Sequence, residues 1–146
     1  MARYFNLREA EAVLAEVKDE LRQAATLASE LGAVAAELDE IAQRVAMSGG
    51  AVVHREQVGR IKSRRDALAG RLQAIVLSIQ EHGCRIKDLN VGLLDFPTIY
   101  RGHEVYLCWK LGEDGIQFWH EVDDGFRGRK PIDREFLENH VGDPPN

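Results

Sequence analysis

The chain has 146 residues, of which 45% are hydrophobic and 29% charged, so it carries enough apolar surface for one small folded unit and too much for a wholly disordered chain. Its formal charge of -5 is a poor match to proteins that gain nonspecific affinity by neutralising nucleic-acid phosphates, and no apolar run reaches the roughly 18 residues of a membrane-spanning helix. Arg3, Glu9 and Glu11 among short apolar groups do not resemble a secretory leader, so the expectation is a cytoplasmic protein with no membrane partner.

From Leu7 onward apolar residues return at Ala10, Leu14, Val17, Leu21, Ala24, Ala28, Leu31, Ala35, Leu38, Ala42 and Val45, in alternating steps of three and four. Such a repeat lies just below the helical period and is the seam of a left-handed coiled coil. Asn6 with Glu9 three residues on forms a capping box, and Phe5 is placed as a hydrophobic staple, so the helix begins there. Ser48, Gly49 and Gly50 end it, which gives an element about 60 Å long at about 1.5 Å per residue. Val58, Ile61, Arg65, Leu68, Leu72, Ile75, Ile79 and His82 keep the same spacing and predict a second helix from about Ala51 to His82, stopped by Gly83. The short connection makes the two helices antiparallel neighbours. Apolar positions outside the seam, such as Val13, Val34 and Ile41, call for further cover, from the rest of the chain or from a second copy.

Charge divides unevenly along the chain. Residues 1 to 50 carry five basic and nine acidic groups, residues 51 to 83 six and three, and residues 84 to 146 eight and twelve. Arg60, Lys62, Arg64 and Arg65 in the positive middle segment either balance the acidic first helix or attract an anionic partner, RNA included.

After Gly83 the helical period disappears. Ile86 to Phe96 reads as a loop-rich stretch with a short strand before Pro97. His103 to Lys110 alternates as a strand, with Val105, Leu107 and Trp109 on one face and Glu104, Tyr106 and Cys108 on the other. Gly112 to Gly115 turns the chain into a second, antiparallel strand over Ile116 to Glu121. Gly125 to Pro131 is turn-like, Asp133 to Asn139 makes a short helix, and Gly142 to Asn146 is expected to fray. The predicted fold is α+β: a long antiparallel helical hairpin over residues 1–83 and a small antiparallel β module over 84–146.

Residues with chemical potential concentrate in that module. Asp95, His120 and Glu121 supply the oxygen and imidazole donors of a candidate site for zinc or another divalent transition metal, although no His-Glu-x-x-His or paired Cys-x-x-Cys motif is present. Asp88, Cys108, Trp109, Trp119, Arg127 and Arg129 are candidate ligand-binding residues, the two arginines lying in a Gly-Phe-Arg-Gly-Arg turn suited to an anion. The bland readings are a solvated turn for the arginines, a strand end for His120, and a small buried side chain for Cys108, which has no local histidine to activate it. With only Cys84 and Cys108, a single disulfide is the most the chain can form, and a reducing compartment fits.

The strings Val91-Gly92-Leu93-Leu94-Asp95-Phe96-Pro97, Leu107-Cys108-Trp109-Lys110 and Phe118-Trp119-His120-Glu121, followed by Gly125-Phe126-Arg127-Gly128-Arg129-Lys130-Pro131, resemble the DUF2203 proteins of bacteria and archaea. The opening Tyr4-Phe5-Asn6-Leu7-Arg8-Glu9-Ala10 is similar to that family's start. The resemblance implies a compact motif region around Asp95, Cys108, Trp109, Trp119, His120, Gly125 and Arg129 joined to a long helical part, and it brings no activity with it. The functional expectation is a noncatalytic interaction or scaffold protein that uses its hairpin for self-association, as a homodimer, or for recognition of another protein. The alternative is a small-ligand or transition-metal-binding protein, an enzyme included, with its site in the β module.

Overall fold

A computed structural model describes residues 3–49 and 54–144. Helix α1 spans Leu7–Met47 and helix α2 spans Arg55–Glu81. The expected α2 start at Ala51 and the Gly50 half of the connection fall outside the described residues. Asn6 accepts from the Glu9 amide at 2.8 Å while Glu9 reaches back to the Asn6 amide at 3.0 Å, which closes the capping box. Phe5 does not act as a free staple; it is fully buried and meets Phe96 edge-on at 5.4 Å, pinning the helix start to the sheet. Gly83 ends the α2 run with φ +93, a left-handed conformation that a side chain resists.

Strands β1 (Arg85–Asp88), β2 (Leu93–Tyr100), β3 (His103–Lys110), β4 (Phe118–Glu121) and β5 (Lys130–Pro131) lie side by side in that order, every pairing antiparallel. Helix α3 (Arg134–Asn139), capped by Asp133, leads into β6 (His140–Val141), which pairs with the far end of β2. The sheet is therefore larger than the expected hairpin plus one short strand. β2 runs through Pro97 to Tyr100 instead of stopping before the proline. A strand residue points its amide and carbonyl to the same side, and the Pro97 carbonyl accepts from Phe5 at the gap between β1 and β6, so the missing N–H costs no bond to β3. Arg101 (φ 50) and Gly102 (φ +86) supply the two left-handed positions of the tight β2–β3 turn.

One face of the sheet carries Leu94, Phe96, Val105, Leu107, Trp109 and Trp119 against Ala10, Val13, Leu14, Val17 and Leu21 of α1 and Ile79 of α2, and these form one continuous core. Past Leu21 the helices leave the sheet and pack on each other through a separate cluster of Leu27, Val34 and Leu68. Val13 and Val34 are thus covered within the chain, while Ile41 is half-buried. The tail is held, contrary to the expected fraying: the Asp143 amide donates to the Tyr4 carbonyl at 3.0 Å, and the Tyr4 amide donates to the Asp143 carboxylate at 3.2 Å. Pro145 and Asn146 lie outside the described residues. No helix of the described residues is long and apolar enough to cross a membrane.

Candidate functional site

The second face of the sheet, turned away from the helices, is set by strand alternation. Asp95 on β2 is paired with Cys108 on β3, and Tyr106, two residues before Cys108 and on the same face, is paired with His120 on β4. Three neighbouring strands thereby bring a carboxylate, a thiol and an imidazole together, with one donor atom of each lying within 4.8 Å of the others. All three residues are buried, Asp95 at 2%, Cys108 at 1% and His120 at 2% exposure. Buried polar groups persist only when their hydrogen-bonding needs are met, and here they are.

His120 Nε2 lies 2.9 Å from Asp95 Oδ1, and Nδ1 lies 2.8 Å from the Glu121 carbonyl oxygen. Both ring nitrogens therefore face acceptors, an arrangement that a doubly protonated ring satisfies by donating twice. Burial works against that charge, but hydrogen bonds to Asp95, Cys108 and the Glu121 carbonyl, with the Asp95 charge, override it and lift the His120 pKa from 6.5 to about 10. Burial pushes the Cys108 thiol up, and the hydrogen bond to His120 works in the opposite direction. Cys108 thus stays a thiol in the absence of a stronger partner for its sulfur. Arg85 and Tyr106 border the cluster on the same face, the Arg85 guanidinium donating to the Tyr106 hydroxyl at 2.7 Å and the Tyr106 ring lying 5.5 Å from that of His120.

The other residues singled out from sequence go elsewhere. Glu121 follows His120 on the strand, so its carboxylate emerges on the opposite face, 3.5 Å from His103 and 3.9 Å from Lys130. It joins the cluster only through its backbone carbonyl. Asp88 caps the turn after β1 by accepting from the Asn90 amide at 2.8 Å and does not face Asp95. Trp109 and Trp119 belong to the core against the helices: Trp109 donates to the Glu113 carbonyl at 3.0 Å, and Trp119 stacks with Phe136. Arg127 is exposed in the short 3-10 helix Phe126–Gly128.

Arg129 is nearly buried and clamps both carboxylate oxygens of Glu113, at 2.7 and 2.9 Å, with its guanidinium over the rings of Phe118 and Phe126. Glu113 also accepts from the Lys110 amide at 2.7 Å, which ties the β3–β4 connection to the Arg129 turn. The anion that Arg129 holds is thus one of the chain's own carboxylates. Glu113 was not legible as a partner because its spacing from Arg129 carries no local signal, whereas alternation already placed Cys108 on the face opposite Trp109.

An α+β protein with a projecting two-helix arm and a sheet that buries a Cys/His/Asp cluster is the class that fold and site define. The family described as "Uncharacterized conserved protein (DUF2203)" matches residues 3–132. The chain belongs to that family, as the motif strings around Asp95, Cys108 and His120 led one to expect. No curated protein and no solved structure matches it.

Proposed function

We propose that the protein is a noncatalytic interaction protein whose helical arm associates with the arm of a second copy, residues 1–83 serving as the arm and 84–146 as its base. The observation that carries this reading is the length of α1: 41 residues, of which those past Leu21 contribute nothing to the core at the sheet. A helix pair that extends beyond its own core adds surface and no further burial for the β module, and surface on an otherwise small fold serves contact with another chain. Charge favours a second copy as the occupant. α1 carries four basic and nine acidic side chains and α2 six and three, yet among the described residues no lysine or arginine of one helix lies within 4.0 Å of a carboxylate of the other, and the contact that does cross is that of His82, the C-cap of α2, at 3.5 Å from Glu16. Arg60, Arg64 and Arg71 are exposed along α2 and match the acidic surface of α1 in an antiparallel partner arm. The free, buried thiols of Cys84 and Cys108 support a cytoplasmic setting.

Light scattering and small-angle X-ray scattering on the full chain test this together. The expected result is twice the chain mass with an extended profile, reverting to one chain in the R60E/R64E/R71E variant while far-UV circular dichroism stays helical. A single-chain mass at all concentrations, or a dimer indifferent to the triple charge reversal, overturns it. Salt-sensitive retention of RNA by the wild type, lost in the same variant, would assign the basic face to RNA instead.

A further inference from the structure

We propose that Asp95, Cys108 and His120 form a binding site for one divalent transition metal ion of the zinc class, held by the Cys108 sulfur, His120 Nε2 and an Asp95 carboxylate oxygen. This site is independent of the arm and of what the arm contacts. Its support is geometric. The three donor atoms come from three adjacent strands of one sheet and converge to within 4.8 Å with no other element needed to place them. Sites presented by rigid strands hold their geometry better than sites on loops.

The donor set selects the class of ion. A thiolate and an imidazole suit zinc and its neighbours and are poor ligands for calcium or magnesium, which take oxygen. Binding releases the His120 Nε2 proton and the Cys108 thiol proton to solvent, and the resulting thiolate and the Asp95 carboxylate bring two negative charges, so a divalent ion leaves the buried cluster neutral. The surroundings fit as well. His120 Nδ1 is committed to the Glu121 carbonyl at 2.8 Å, which directs Nε2 toward the other two donors. A metal-bound histidine characteristically donates its second ring N–H to such a carbonyl or carboxylate. Bonds of about 2.0–2.3 Å in a tetrahedron hold ligand atoms on the order of 3.3–3.8 Å apart. The 2.9 Å between Asp95 Oδ1 and His120 Nε2 must therefore open by a fraction of an ångström, within reach of a small side-chain rotation. Three protein donors leave a fourth position for water or an exogenous ligand.

The site differs from the set read off the sequence at one position: Cys108 replaces Glu121, whose carboxylate is on the other side of the sheet. That replacement makes the test sharp, because sulfur has a spectroscopic signature that oxygen lacks. Tag-free full-length protein is stripped of metal and titrated separately with Zn²⁺ and Co²⁺, with elemental analysis after desalting. The expected result is one ion per chain, a melting temperature that rises with added Zn²⁺, and a near-ultraviolet thiolate-to-cobalt charge-transfer band with tetrahedral visible bands. C84S keeps the band, and C108S loses it together with at least about tenfold in affinity. Should C108S fail to fold, bound Zn²⁺ must still protect the single thiol of C84S from modification under mild denaturant. Failure to retain an ion, a cobalt complex without the thiolate band, or loss of the band in C84S overturns the proposal and leaves an adventitious ion only.

Discussion

The buried pair of Asp95 and His120 is where a single side chain matters most. Each is 2% exposed, so removing one partner strands a polar or charged group without water. Asp95→Ala is expected to lower stability of the metal-free protein by about 3–5 kcal/mol in urea titration. A loss under about 1 kcal/mol would mean that the pair adds little beyond specifying the register. Cys84 provides a test in pH. It is 2% exposed, and burial pushes its thiol from 9.0 up to about 11. The folded chain then keeps a proton that the unfolded chain gives up, so this contribution is intact below pH 9 and lost as the pH climbs toward 11. Wild type is expected to lose melting temperature across that window more steeply than Cys84→Ala, and parallel curves would contradict the assignment. At this scale the sequence pointed to Asp95, His120 and Cys108 by chemical type, yet it grouped Glu121, not Cys108, with Asp95 and His120 as the candidate metal set. Only pairing across three strands puts Cys108 beside the other two.

At the scale of elements, local rules carried far where local interactions decide the outcome. The Asn6/Glu9 box, the stop at Gly83, the alternation of β3 and the Asp133-capped α3 all depend on residues within a turn of one another, and each is where spacing predicted it. β2 is different. A proline inside a strand argues against a ladder unless the neighbours leave a gap for it, and that gap exists because β1 and β6 meet β2 at separate ends. Gly92 controls the entry to β2. It has φ +72, and a Cβ there would lie 2.6 Å from Cβ of Leu111. Gly92→Ala is expected to cost about 1–3 kcal/mol through strain and this clash, read as a shifted denaturation midpoint with unchanged slope. The Arg129–Glu113 clamp secures the far side of the sheet. Glu113→Ala removes both charge-assisted bonds and should cost about 1–3 kcal/mol, with fast amide exchange appearing first in the β3–β4 connection.

For the whole molecule, two clusters of unequal size set the behaviour. The larger joins the sheet to the first turns of α1 and the end of α2, and the smaller, around Leu27, Val34 and Leu68, holds the arm alone. Leu68→Ala should cost about 2–5 kcal/mol of local stability. Hydrogen exchange is expected to show arm amides opening while β2 and β3 remain protected. Equal acceleration in sheet and arm would mean that the two clusters unfold as one unit.

The sequence by itself determined the helical hairpin, its caps, the change of period after Gly83 and the α+β class, because those follow from backbone propensity and from apolar spacing along one element. Family membership was legible for the same reason, in contiguous strings of residues. Tertiary structure decided the extent of the sheet, the cover over Val13 and Val34, the tail held on Tyr4, and the meeting of Asp95, Cys108 and His120. Strand register joins residues distant in the chain, and a shift of one position would turn each of these side chains to the other face, so no local pattern could have specified it.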